Sequence, residues 1–144
     1  MKKTYLLDTN IVSEFSKERP NAQVVELYKA RRDLCAISAI TWQELTRGVQ
    51  RLPEGRKKQY LQNCLEEYEE ALDVIPYDKF TGRICGEIQA DAEKEGKTLP
   101  YYDSQIAATA VSNGMVLVTH NLDDFTTIKE KTFLRIEDWF SAQT

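Results

Sequence analysis

The feature that most narrows the fold is an alternation of short apolar runs with stretches of helical period. Residues 4–7 (TYLL), 34–37 (LCAI), 73–75 (DVI), 115–119 (MVLVT) and 133–136 (FLRI) read as buried strands. Between them the apolar residues recur every three or four positions. Ile40, Leu45, Val49 and Leu52 mark one helix, with Ser38 placed to cap it. Tyr60, Leu61, Cys64, Leu65, Tyr68 and Leu72 mark a second, and Phe80, Ile84, Ile88 and Ala92 a third that stops at Gly96. A fourth is expected to open at Asp103, three residues after Pro100, and to close on Asn113-Gly114. Strands alternating with helices imply an α/β fold, with a central parallel sheet flanked by helices on both faces.

At 144 residues, without an internal repeat or a Gly/Ser linker, the chain is expected to form one domain over 1–144. Pro53-Glu54-Gly55 is the clearest break and reads as the turn of a protruding helical hairpin. No window approaches the length of a membrane span, and the Met-Lys-Lys start leads straight into a strand, so a soluble, unprocessed, cytoplasmic protein is expected. Cys35, Cys64 and Cys85 are odd in number, lack CxxC spacing and sit in apolar patterns, as reduced core cysteines do.

The first strand ends on an acid. In "LLDTNIVSEF" the apolar run stops at Asp8, followed at once by Thr9 and Asn10. In an open parallel sheet, ligands gather beyond the carboxyl ends of the strands. Glu44 lies on the helix that follows the second strand, Asp103 at the start of another helix, and Asn121, Asp123 and Asp124 in the loop after MVLVT. Four segments thus bring acids towards one rim. Clustered carboxylates repel, and a hard divalent cation with oxygen ligands is the usual remedy. Local evidence leaves a second role open for each residue. Asp8 and Asp103 are good helix caps, Glu44 is an ordinary surface acid, and Asn121, Asp123 and Asp124 are good turn formers. There is no GxGxxG, no Walker A lysine and no GxSxG, and His120 is the only histidine, which disfavours a His-ligated zinc site. A haloacid-dehalogenase-type phosphatase would need a second aspartate at position 10, where the chain has Asn10.

The motifs "DTN", "E-L-x-x-G", "D-x-x-I-A-A" and "V-T-x-N-x-x-D-F" occur in that order, within "LLDTNIVSEF", "AITWQELTRGVQRLPEGRKK" and "LPYYDSQIAATAVSNGMVLVTHNLDDF", and the chain closes on "LRIEDWF". This set, from about residue 4 to 140, resembles a PIN domain and more narrowly the VapC and FitB-like toxins of bacterial type II toxin–antitoxin systems. The resemblance implies an endoribonuclease dependent on Mg²⁺, with Mn²⁺ as a substitute, that hydrolyses phosphodiester bonds of a structured RNA such as tRNA or rRNA. It implies that Asp8, Glu44, Asp103 and Asp124 hold metal. Where many relatives carry an aspartate two residues after the strand's threonine, this chain has Asn121, expected to act as a polar positioner beside the charged Asp124. Thr9, Asn10 and Thr119 are expected to steady Asp8. The same resemblance implies a VapB-like antitoxin and a homodimer. Two other readings share the motifs: a nuclease acting on DNA or in RNA processing, and a catalytically idle module that binds RNA or protein.

The net charge of −4 and pI of about 5.1 fit poorly with a general grip on a polyanion. Arg47, Arg51, Arg56, Lys57 and Lys58, clustered around the hairpin next to Glu44, are the expected RNA contacts.

Overall fold

The computed structural model describes residues 2–141. Five strands form one sheet: β1 (Tyr5–Leu7), β2 (Cys35–Ser38), β3 (Asp73–Ile75), β4 (Val116–Val118) and β5 (Arg135–Glu137). Their order is β3-β2-β1-β4-β5 and every pairing is parallel, with Leu6 opposite Ala36 on one side and Leu117 on the other. Among the described residues seven α-helices connect and cover them: α1 (Thr9–Phe15), α2 (Ala22–Arg31), α3 (Ala39–Gln50), α4 (Arg56–Ala71), α5 (Lys79–Lys94), α6 (Tyr101–Ser112) and α7 (Thr126–Lys131).

Alternation along the strands builds a core on each face. Leu6, Ala36 and Leu117 point into a cluster with Ile106, Phe125 and Ile128, whereas Leu7, Cys35, Ile37 and Val118 join Ile11, Val12 and Trp139 on the other side. Among the described residues, no helix is long and apolar enough to cross a membrane.

All five expected strands are present; β3 has the expected bounds and the other four are displaced by a residue or two at their ends. Leu34 belongs to a 3-10 turn rather than to β2, and β5 begins at Arg135, leaving Phe133 98% exposed before it. Helices α2 and α7 carry weak apolar periodicity and were not expected; each buries a single residue, Val24 or Ile128. The third helix turns a different stripe inward. Thr81, Cys85, Ile88 and Ala92 are buried, and Phe80 stands 58% exposed. Cys64 is only half-buried, unlike Cys35 and Cys85.

The helix opening "YYDSQIAA" starts at Tyr101, directly after Pro100, so Asp103 lies inside its first turn instead of opening it. Its other end launches β4. Gly114, at φ +63°, donates to Val111 O (3.2 Å) while Met115 N donates to Ala110 O (2.9 Å), a Schellman closure that needs the left-handed residue glycine supplies. The hairpin turn between α3 and α4 rests likewise on Gly55, whose φ of +156° strains any side chain.

Trp139 seals the second core from the C-terminal side. Its ring is fully buried, packs edge-on against Tyr5 (5.5 Å between centroids), and its Nε1 donates to Glu137 Oε1 (3.0 Å). Trp139→Ala is expected to lower stability by roughly 3–5 kcal/mol, read as a shift of the urea midpoint with unchanged slope.

Candidate active site

The strand order reverses between β1 and β4, since the chain builds outward from β1 through β2 and β3 and then returns to β1's other edge. A crevice opens at such a switch point, beyond the carboxyl ends of the two strands. Asp8 follows β1 and Thr119 follows β4, and they meet there.

Asp8 N donates to Val118 O (2.9 Å), which continues the ladder one residue past the strand and fixes the backbone. Asp8 is 5% exposed, and its carboxylate accepts three hydrogen bonds: from Thr9 N to Oδ1 (2.8 Å), and from Asn10 Nδ2 (3.0 Å) and Thr119 Oγ1 (2.8 Å) to Oδ2. Asn10 is itself held. Its Nδ2 reaches Thr119 Oγ1 (3.3 Å) and its Oδ1 accepts from His120 N (3.0 Å). Asp8 also ends β1 as the cap of α1, where its backbone oxygen accepts from Ile11 N (3.0 Å) and Val12 N (3.3 Å). Cap and site are therefore one residue.

Glu44 comes from the second turn of α3, which Ser38 caps by accepting from Thr41 N (2.9 Å). The Thr9 hydroxyl donates to Glu44 Oε1 (3.0 Å) and lies 3.4 Å from Thr41 Oγ1. Thr9 thus couples the acids through two different groups, its N–H to Asp8 and its hydroxyl to Glu44. Thr41, fully buried, was not singled out from sequence; threonine on an apolar helix face gives no local sign that its hydroxyl meets another element.

Electrostatics join four carboxylates into one group. Burial lifts the Asp8 carboxyl above its ordinary value against the pull of its three donors, and Asp124 adds repulsion. Glu44 is raised by burial and by Asp8, with the Thr9 hydrogen bond opposing. Asp103 is pushed up to about 6, by burial first and then by Asp8, Asp124 and Glu44. Among the described residues no three of these side chains close on a single point as they stand.

Of the two candidates for the fourth position, Asp124 has the electrostatic reach to Asp8 and Asp103. Asn121 contributes its backbone: its N–H donates to Thr119 Oγ1 (3.1 Å) and its carbonyl accepts from Asp124 N (3.1 Å), shaping the turn that carries Asp124. Asp123 lies with Asn121 and Asp124 around a shallow depression after β4. His120 turns aside, 3.1 Å from Asp138 Oδ2, with its ring stacked on Phe140 at 4.0 Å. A further buried acid, Glu14, is structural; Lys17 Nζ at 2.8 Å holds its carboxyl below the usual range and Asn21 N donates to it at 2.8 Å.

The expected basic residues divide. Arg47 and Arg51 line a cavity of about 400 Å³ together with Thr9, Glu44 and Tyr102, next to the acids. Arg56 and Lys57 are exposed at the start of α4. Lys58 is engaged, bound to Glu54 Oε1 (2.8 Å) and Gln50 O (3.3 Å) across the hairpin turn.

The donor set is all carboxylate and hydroxyl oxygen, which suits a hard divalent cation and not zinc. A pH dependence follows from the raised acids. A carboxyl whose folded pKa exceeds its unfolded one binds a proton more tightly in the native state, so stability falls as pH rises from the unfolded value towards the folded one. The chain in EDTA is therefore expected to lose stability between about pH 4 and pH 6, and Asp103→Asn to remove a good part of that loss; thermal unfolding across this range tests it.

Comparisons with known proteins point the same way. Residues 5–131 match the family model described as "PIN domain". The VapC ribonuclease Y4jK of Sinorhizobium fredii is 36% identical over 124 residues, covering 83% of this chain and 89% of that protein. The tRNA(fMet)-specific endonuclease VapC of Shigella flexneri is 31% identical over 137 residues, covering 94% and 97%. Among solved structures, the DNA-bound VapBC of Salmonella typhimurium superposes with a TM-score of 0.81 at 29% identity, covering 96% of this chain and 99% of that one. The chain belongs to the PIN-domain family, alongside the VapC ribonucleases.

Proposed function

We propose that this protein is a Mg²⁺-dependent endoribonuclease, the toxin of a VapBC-like pair, with Mn²⁺ able to substitute. One observation carries the reading: acids from four separate segments meet at the sheet's switch point, where burial first and then neighbouring carboxylates raise Asp8 (beside Asp124), Glu44 (beside Asp8) and Asp103 (beside Asp8, Asp124 and Glu44), and none of these three owes any of its shift to a basic side chain. Nucleases of this family are as a class metal-dependent.

These four carboxylates are the groups that would hold the metal. When bound, a divalent cation supplies the positive charge that activates water for in-line attack on phosphorus and offsets charge on the departing oxygen. The chain's own residues do the positioning. Thr9 N–H, Asn10 and Thr119 keep both Asp8 oxygens in fixed directions, and Thr9 Oγ1 fixes Glu44 relative to Asp8. Arg47 and Arg51, beside Glu44, hold phosphates flanking the scissile one. Hydrolysis adds water across a P–O bond and leaves a phosphate monoester and a free hydroxyl.

The Shigella relative is named for tRNA(fMet), and the VapBC neighbour pairs toxin with antitoxin. By extension, a structured RNA, tRNA or rRNA, is the substrate class proposed here, and a VapB-like antitoxin the partner.

The purified chain, freed of antitoxin, is expected to cut cellular RNA at defined positions with Mg²⁺ or Mn²⁺ and to stop in EDTA. Asp8→Asn and Asp103→Asn each reduce cleavage by about a hundredfold or more while the fold persists. Mapping the new ends identifies the RNA. Cutting that survives both substitutions at full rate sinks the carboxylate mechanism.

A separate measurement tests the scaffold. Thr119→Val removes one donor from Asp8 and leaves Asn10 to bear Oδ2 alone; metal affinity, measured by calorimetry, is expected to fall about tenfold.

A further inference from the structure

Two residues of the site neighbourhood have no part in holding the acids. Tyr101 and Tyr102 open α6 immediately before Asp103, and they are 74% and 45% exposed. They line a cavity of about 500 Å³ with Ile40, Gln43 and Gln105. Gln43 precedes Glu44 on α3, so the walls of this cavity are the sequence neighbours of two of the carboxylates. Gln43 and Tyr102 also line the adjoining cavity that holds Thr9, Glu44, Arg47 and Arg51. The two hollows thus share Gln43 and Tyr102 as walls.

The chemistry of this second hollow differs from that of the first. It holds no charged side chain. Two phenol rings and the Ile40 side chain offer flat apolar surface, and two carboxamides offer a donor and an acceptor each. Neither tyrosine hydroxyl and neither glutamine amide makes a side-chain hydrogen bond among the described residues. Aromatic surface bordered by free carboxamides matches a nucleobase, which presents a π-face for stacking and a polar edge for hydrogen bonds. The arginines next door match the phosphates on either side of such a base.

We propose that the hollow between α3 and α6 is a nucleobase subsite, in which Tyr101 and Tyr102 stack on an unpaired base of single-stranded or looped RNA next to the scissile phosphate, while Gln43 and Gln105 read its edge. This rests on the nuclease reading above and adds a specificity determinant to it. Tyr102 lies on the cleft side, towards Arg47 and Glu44, and carries the main stack. Tyr101, further out, closes the hollow. The subsite explains how an acidic protein selects one bond in a polyanion: phosphate contacts hold the strand, and the base in the hollow fixes its register.

The test uses the full chain and short single-stranded RNAs spanning the cleaved position, each with an abasic residue at one successive site. Tyr102→Ala is expected to lower kcat/KM on the intact RNA about tenfold or more, and Tyr102→Phe to keep most of it, since stacking needs the ring and not the hydroxyl. On the one RNA whose abasic residue coincides with the subsite, wild type and Tyr102→Ala should cut equally. Gln43→Ala and Gln105→Ala are expected to change base preference at that position with little effect on the abasic RNA. Phe133→Ala, an exposed aromatic beyond the opposite end of the sheet, serves as the surface control and should match wild type. If wild type cuts but Tyr102→Ala loses the same factor on every abasic RNA, or loses nothing, the subsite is wrong and the nuclease reading stands. If the tyrosine variants shift the sedimentation coefficient and leave RNA affinity unchanged, the patch is an interface between copies of the chain and the proposal falls. If wild type neither cuts nor binds any of the RNAs, both readings fall together.

Discussion

The structure depends on a single buried carboxylate. Asp8 sits at the point where the order of the sheet's described strands reverses, and a carboxylate tolerates burial there only with help. Three donors supply that help, and they come from both sides of that point: Thr9 and Asn10 from the start of α1, Thr119 from the end of β4. Packing of β1 against β4 is thereby tied to the ionic state of the site. A carboxylate placed at a helix cap would ordinarily be satisfied by one or two N–H groups and remain in water. Here the cap is sunk to the floor of a crevice, and burial outweighs its hydrogen bonds in setting its proton affinity.

The other acids inherit their positions from elements whose own formation is unremarkable. Ser38 ends β2 and caps α3, so Glu44 falls a turn and a half along, within reach of the Thr9 hydroxyl. Gly114 closes α6 and directs the chain into β4, and the tight turn after Thr119 carries Asp124 back over the crevice. Each of these is a local device worth roughly 1 kcal/mol. Their combined result, acids from four segments gathered at one rim and repelling their neighbours, is unfavourable at neutral pH without a cation. The protein accepts that cost because its two cores, built on Leu6 and Leu7 pointing to opposite faces, provide the stabilisation elsewhere.

Much of this was legible in the sequence. Strand alternation identified the parallel sheet, and an apolar run halted by Asp8 marked the sheet edge towards which the other acids were expected to point, although the same residue also reads as a helix cap. What was not legible has physical causes. Helices α2 and α7 bury little, one residue each, and leave almost no periodic trace. The stripe on α5 is set by contact with α6, which selects Thr81 and Cys85 over Phe80, a choice no single-helix pattern contains. Asp103 was expected at a helix start, but Pro100 supplies the start one turn earlier and leaves Asp103 free of capping duty, with its carboxyl directed to the acid group. Thr41 contributes only through a contact with Thr9 across elements, which sequence spacing cannot reveal.

The opposition between an acidic chain and a polyanionic substrate is resolved by arrangement. Net charge governs encounter at distances beyond a Debye length, but within the cleft the local charge decides. Arg47 and Arg51 face the same cavity as Glu44, whereas the hairpin's Lys58 is spent on Glu54. Beside the acids the basic side chains are Arg47 and Arg51, while Arg56 and Lys57 stand exposed further along, at the start of α4. In the reading proposed above, a strand held by Arg47 and Arg51 would run along the cleft, past Glu44 and towards Tyr102, which lines the same cavity. With little charge to spread the contact, affinity would then come from few, well-placed groups, and the register of the strand from what lies at the end of that path. In this fold the end of the path is aromatic.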